Sequence, residues 1–252
     1  MAEKLTRLTA GLVLLAAAAF AQAATPVGQF EDHADIGNPQ HSGAATWNAA
    51  SQEYLFTASG YNMWGRRDEF HFAWRRLEGD FILQARVQFL GKGVDPHRKA
   101  GWMVRSSLDE DAKYVDATVH GDGLTSLQFR KQKGGLTEQI ESASKGSDVI
   151  QLERRGNTYI FSAARYGDPF TTRELADFDV GTNPYVGLFL CSHNADVIEQ
   201  AIIRDVRIIR PAKQGFRPYR DYIGSHLELL DVQTGHRQII HSSRVPFEAP
   251  NW

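Results

Sequence analysis

Eight side chains in this sequence have the chemistry to hold a polar ligand: Trp64, Asp68, Glu69, His71, Arg105, Asp116, His120 and Arg130. Carboxylates, guanidiniums and imidazoles supply oriented donors and acceptors for hydroxyl groups, and an indole supplies a flat face on which C–H surfaces stack. Together they suit a polyhydroxylated ligand. The same residues also read as the solvated face of an antiparallel sheet, with cross-strand ion pairs among Glu69, Arg105, Asp116 and Arg130. For Trp64 the competing role is a cap on the core edge, and for Asp68 a pair with Arg66 or Arg67.

Motifs for catalysis are missing from the sequence. It contains no Gly-x-Ser-x-Gly elbow, no His-Glu-x-x-His and no phosphate loop. Its acidic runs, Glu78-Gly79-Asp80 and Asp109-Glu110-Asp111, read as a turn and a solvated loop corner. No Cys/His cluster has zinc spacing and no Asp-x-Asp-x-Asp-Gly loop is present, so no cofactor is expected, with a structural calcium ion left open. The single cysteine, Cys191, excludes an internal disulfide and sits in an apolar run that reads as buried. With 28 basic and 30 acidic residues, a formal charge of −2, the chain lacks the electrostatic footprint of a nucleic-acid partner.

The elements that must position these side chains read as strands. Short alternating runs over 53–59, 68–75, 80–89, 99–106, 114–120, 124–131, 149–155, 158–165, 185–192 and 198–209 are separated by Gly, Asp and Asn, and no stretch keeps a helical period. Alternation puts Phe81, Leu83, Ala85, Val87 and Phe89 on one face, and likewise Val115, Ala117 and Val119, Leu127 and Phe129, and Phe70, Phe72 and Trp74. These strands are expected to share one apolar interior. Their polar partners, Glu69, His71, Arg86, Arg105, Asp116, His120, Gln128 and Arg130, are expected on one concave side, with Trp64 on the loop entering it.

The segments Phe30-Glu31-Asp32-His33-Ala34-Asp35-Ile36-Gly37, Gly60-Tyr61-Asn62-Met63-Trp64, Asp68-Glu69-Phe70-His71-Phe72, Glu78-Gly79-Asp80-Phe81 and Lys99-Ala100-Gly101-Trp102-Met103-Val104-Arg105 resemble the concanavalin A-like jelly-roll modules, lectin-like and glucanase-like, over roughly residues 28 to 211. The resemblance implies an all-β, two-sheet antiparallel sandwich. It settles no activity, because that fold hosts lectins, glycosidases, lyases and adhesion modules. The glucanases of this fold carry their acids as Glu-x-Asp-x-x-Glu on one strand, a sequence this chain lacks. Farther on, His226-Leu227-Glu228-Leu229-Leu230-Asp231-Val232, then Gln233-Thr234-Gly235, a second strand and Ala249-Pro250-Asn251-Trp252, resemble the opening of a blade in the TolB-like β-propellers. A blade cut short there implies a two-stranded hairpin with an exposed edge.

The domain organisation expected is an export signal over 1–23, the sandwich over 24–211, a linker over 212–221 and an incomplete propeller blade over 222–252. The signal rests on Lys4 and Arg7, an apolar run from Leu8 to Phe20 and small residues at Ala21 and Ala23. The expectation is therefore an exported, periplasmic or extracellular module without catalysis, with a carbohydrate ligand, an envelope protein partner through the propeller portion, and no membrane span once the signal is cleaved. Two alternatives stand beside it: a glycoside hydrolase or polysaccharide lyase on the same fold, and an assembly module of the cell envelope with no small ligand.

Overall fold

The computed structural model describes residues 24–212, 214–217, 220–221 and 224–247. The export segment over 1–23 and the Pro250-Asn251-Trp252 end of the blade lie outside the described residues. Sixteen strands follow one another: β1 (Asp32–Ile36), β2 (Ala44–Asn48), β3 (Glu53–Gly60), β4 (Phe70–Arg76), β5 (Phe81–Leu90), β6 (Lys99–Arg105), β7 (Tyr114–His120), β8 (Thr125–Arg130), β9 (Thr137–Glu141), β10 (Val149–Arg155), β11 (Thr158–Ala164), β12 (Thr171–Leu175), β13 (Tyr185–Cys191), β14 (Asn194–Ile209), β15 (Ser225–Leu230) and β16 (Arg237–Ser243). No helix among the described residues is long and apolar enough to cross a membrane.

Two seven-stranded antiparallel sheets face each other, ordered β1-β4-β13-β6-β7-β8-β9 and β12-β11-β10-β5-β14-β3-β2. This is a concanavalin A-like jelly-roll sandwich. The inner side chains of both sheets form one core, with Ala100, Trp102, Val104, Val115, Ala117, Val119, Leu127 and Leu188 from the first sheet against Phe56, Phe81, Leu83, Ile150, Leu152, Phe161 and Ile203 from the second. Each follows the two-residue alternation of its strand. The sequence-derived limits of β7 and β10 agree with the structure, and β1, β2, β9 and β12 are additional. All four additional strands are sheet edges. An edge strand pairs on one side only and is half open to water, so a strand such as β12, whose residues are half-buried or exposed, carries little apolar alternation.

One face assignment reverses. Ala73 of β4 points into the main core, while Phe70, Phe72 and Trp74 point away from the second sheet into a smaller apolar cluster with Met63, Met103, Tyr114, Phe189 and Cys191. The reason lies in the segment 61–68, which folds back over the outer face of the first sheet and supplies Met63 as the lid of that cluster. Gly60 starts the fold-back at φ +128°, where a Cβ would collide with the Glu69 carbonyl.

A buried ion network pins the segment in place. Arg130 grips Asp68 with both terminal nitrogens, Nη2 to Oδ1 at 2.6 Å and Nη1 to Oδ2 at 2.9 Å, and Arg105 Nη2 reaches Oδ2 at 3.4 Å. All three side chains are fully buried. Further guanidinium donors reach loop carbonyls: Arg130 donates to Gly65 and Ala112 at 3.1 Å each, and Arg105 Nε donates to Ser107 at 2.7 Å, while Arg130 Nε has no partner among the described residues. Tyr114 Oη adds a bond to the Met63 carbonyl at 2.8 Å. The fold-back segment and the loop 106–113 are thereby tied to β6, β7 and β8.

The hairpin of β15 and β16 rests on the outer face of the second sheet. A bulge in β14 gives Asp205 a φ of +53° and presents its carboxylate, which accepts from the Arg237 amide at 2.8 Å and lies 3.0 Å from His236 Nδ1. Arg207 donates to Glu228 at 2.9 Å, and Gln52 exchanges two bonds with the backbone of Ile239. These contacts are polar, and no hairpin residue belongs to either apolar cluster.

Replacing Asp68 by alanine would leave two guanidiniums buried without their counterion, a loss on the order of 3–5 kcal/mol. Breaking the exposed Lys131–Glu138 pair should cost at most about 1 kcal/mol. Urea unfolding of Asp68→Ala and Lys131→Ala compares the two directly. Equal and small losses would show that the buried network does not hold the loops.

Candidate functional site

With the fold-back segment covering the outer face near Tyr114, Arg130 and Thr137, an opening remains over the Lys99 and His120 ends of β6 and β7 and over β8. A cavity of about 250 Å³ lies there, lined by Asn62, Trp64, His97, Lys99, His120, Leu124, Gln128, Gln139 and His193. Lys99 and His120 stand opposite each other in the β6–β7 ladder, and Gln128 and Gln139 do so in the β8–β9 ladder. Strand alternation therefore delivers these four to one face. Loops deliver the rest.

Each loop has its own anchor. The loop 91–98 carries His97 and is held by the buried Arg98–Glu199 pair at 2.6 Å, with Glu199 also accepting from the Val94 amide at 2.9 Å. Asn62 Oδ1 accepts from the amides of Met63 and Trp64 at 2.7 and 3.0 Å and so fixes the turn that presents the indole. Trp64 is 40% exposed. His193 sits at φ +60° between β13 and β14, with Nδ1 3.1 Å from Asp95.

The electrostatics of the floor follow from burial. His120 donates from Nδ1 to the Leu124 carbonyl at 3.0 Å, which leaves Nε2 as an acceptor 3.4 Å from the Gln128 amide nitrogen. Burial, assisted by the neighbouring Lys99 charge, pushes the imidazole down to about 3, so the ring is neutral at physiological pH. Burial likewise lowers Lys99, an effect opposed by Cys191 and Asp116. Asp116, fully buried behind Gln128, is raised well above the carboxylate range by burial, with Lys99 opposing. The amide nitrogen of Gln128 reaches Gln139 Oε1 at 3.3 Å, while Gln128 Oε1 and Asp116 Oδ2 have no hydrogen-bond partner.

No protein-family model matches the sequence, and no curated protein does either. Solved structures do share the fold. The chain is similar to a functionally unknown protein from Saccharomyces cerevisiae, at 16% identity and a TM-score of 0.53 over 72% of this chain and 97% of that one. It is also similar to the carbohydrate binding module CBM66 from Bacillus subtilis, at 13% identity and 0.48 over 73% and 100% of the two chains. A legume lectin-like domain from Entamoeba histolytica follows, at 12% identity and 0.43 over 75% and 92%. At these identities the likeness is one of fold.

The eight residues singled out from sequence fall into separate places. Trp64 and His120 line the cavity, and Asp116 lies beneath it. Asp68, Arg105 and Arg130 form the buried network, bonded to one another and to loop carbonyls. Glu69 and His71 do not share the outer face: Glu69 pairs with Arg67 at 3.3 Å, and His71 lies between the sheets, its Nδ1 donating to Asp35 at 2.7 Å and its Nε2 3.0 Å from His33. Arg86, expected beside them, belongs to the second sheet and pairs with Asp148 at 3.1 Å under the hairpin. The physical reason is the reversed face of β4 together with the assignment of β5 to the opposite sheet.

Sequence reasoning missed Lys99, Gln139, His97 and His193. Lys99 shares the parity of Arg105 along β6, which was a usable signal. His97 and His193 lie on loops, where no periodicity marks direction. Three imidazoles thus stand near one another, with ring centres 5.5 Å apart for His97–His193 and 6.2 Å for His97–His120. Among the described residues, no group of three or more His, Cys, Asp or Glu side chains is arranged to hold a metal ion.

Because the folded His120 prefers the neutral form, its contribution to stability is complete above about pH 6.5 and is lost as pH falls toward 3, at up to about 1.4 kcal/mol per pH unit. Urea unfolding between pH 7 and 4 should show a shallower loss for His120→Gln than for the parent chain. Identical slopes would mean that the imidazole takes its proton within the fold.

Proposed function

We propose that the protein recognises carbohydrate through the cavity beneath Trp64 on the outer face of the first sheet. The observation that carries this reading is the combination, in one cavity, of a half-open indole with uncharged amide and imidazole groups from Asn62, Gln128, Gln139 and His120. Sugar C–H faces stack on such a ring, while their hydroxyls need donors and acceptors held in fixed directions. Gln128 lines the cavity and its buried Oε1 has no partner among the described residues, so this amide keeps bonding capacity that the fold leaves unused. None of the nine lining residues is a carboxylate. Hydrolysis by a carboxylate pair needs two of them about 5 to 9 Å apart, so the geometry favours binding over that kind of hydrolysis.

The setting belongs to the same proposal. The basic start and apolar run of residues 1–23 support export to the periplasm or the medium. The tail is taken as the opening of a TolB-like blade facing an envelope protein, a reading supported by Leu229, Leu230, Val232 and Ile240, which the hairpin leaves exposed.

A broad glycan array should retain the protein, and Trp64→Ala should weaken that retention about tenfold or more, the scale of one lost stacking contact, with an unchanged melting temperature. Silence across the array would remove the binding reading. For export, the chain recovered from the periplasm or medium should begin close to Ala24. Recovery of the uncut chain from the cytoplasm alone would contradict it.

A further inference from the structure

The floor of the cavity holds a cation with too few partners. Lys99 leaves 2% of its surface to solvent. Among the described residues its ammonium has one hydrogen-bond acceptor, Asn62 Oδ1 at 3.3 Å, an oxygen that already takes two backbone amides. An ammonium has three donors to place. The groups around it do not neutralise it. Asp116 forms no ion pair with it, and complete burial raises that carboxyl well above the carboxylate range. Cys191, opposite Lys99 in the β13–β6 ladder, is pushed up to about 11 by burial and stays a thiol. His120, opposite in the β6–β7 ladder, is neutral as well. A buried charge without a counterion is among the costlier features a fold can keep, and an arriving anion relieves it.

We propose that the cavity takes a carboxylate-bearing sugar, a uronic acid unit of a glycan, with its carboxylate on Lys99 and a hydroxyl on the Gln128 amide. This rests on the carbohydrate reading and narrows it to acidic glycans. A carboxylate suits the site better than a sulfate ester. It is planar and needs few donors, and the cavity offers a single cation; a sulfate presents three oxygens in a tetrahedral array. The amides of Gln128, Gln139 and Asn62 that line the same cavity as Lys99 then favour a ligand that carries hydroxyls as well as its acid over a simple carboxylic acid.

The test uses the full chain and oligosaccharides of one length in three forms: uronate, the same oligomer with its carboxyl groups reduced to alcohols, and a neutral oligomer bearing sulfate esters. Titration calorimetry should show the uronate form bound at least about tenfold more tightly than either of the others, the scale of one newly paired charge. Lys99→Met, of similar length and without charge, should bring the uronate and reduced forms to within about twofold of one another at a melting temperature equal to the parent's or higher. Should that variant not fold, the comparison of uronate with reduced oligomer on the parent chain decides alone. Equal binding of the two forms, tighter binding of the sulfated one, or a uronate preference that survives Lys99→Met overturns the proposal while leaving carbohydrate recognition standing. Binding of none of the three, together with silence on the broad array, removes both.

Discussion

The Asp68 carboxylate, clamped from two sides by Arg130 and Arg105 at zero exposure, is the interaction on which the outer face of the first sheet depends. A charge so deep is tolerable when most donors and acceptors around it are matched, and here the guanidiniums reach carbonyls of both covering loops. The network therefore does two jobs at once. It offsets one of its two positive charges with the Asp68 carboxylate, and it holds the segment 61–68 across β7, β8 and β9, where Thr137 also bonds Gly65. Without that clamp the face would be an open polar groove. With it, one end is a closed apolar cluster and the other is the cavity.

Position along the sheet thus separates two populations of polar side chains on the same face. At the end of β6, β7 and β8 that carries Arg105, Tyr114 and Arg130, the guanidiniums are engaged with Asp68 and loop carbonyls, Arg130 Nε alone lacking a partner among the described residues. Toward the other end, Lys99, Gln128 and Asp116 are equally buried but incompletely bonded. Buried polar groups are ordinarily satisfied, so the contrast within one sheet face points to the second population as the one shaped for something other than folding. The neutrality of His120 sharpens this. It leaves Lys99 as the cation of the floor and gives Gln128 a fixed donor direction, toward His120 Nε2 and Gln139, so that its oxygen is the group left over.

The all-β class, the strand cores of both sheets and the polar character of the outer face were legible in the sequence, because alternation in a half-buried strand is a direct image of burial. Val115, Ala117 and Val119 against Asp116, Thr118 and His120 illustrate it. Edge strands such as β12 were not legible, since even their inner face is only half-buried and carries few apolar residues. Nor was the side chosen by β4. With Phe70, Phe72 and Trp74 on one face and Ala73 on the other, the pattern says the aromatic face is buried, and the structure shows it buried under a loop and not in the sandwich. Asp68 was read as a ligand group or as the partner of Arg66 or Arg67, whereas its partners are 37 and 62 residues away.

What the sequence determined by itself is therefore everything carried by local period and residue type: strands, turns, an indole on a loop and a set of polar side chains facing outward. What only the tertiary structure decided is which of those side chains are matched to one another. Hydrogen bonding and ion pairing are properties of pairs brought together by sheet order and loop path, and two arginines of the same face parity look alike in sequence to a lysine left without a counterion. Folding the segment 61–68 over the sheet makes that distinction, joining Asp68 to Arg105 and Arg130 and leaving Lys99 at the floor of a cavity.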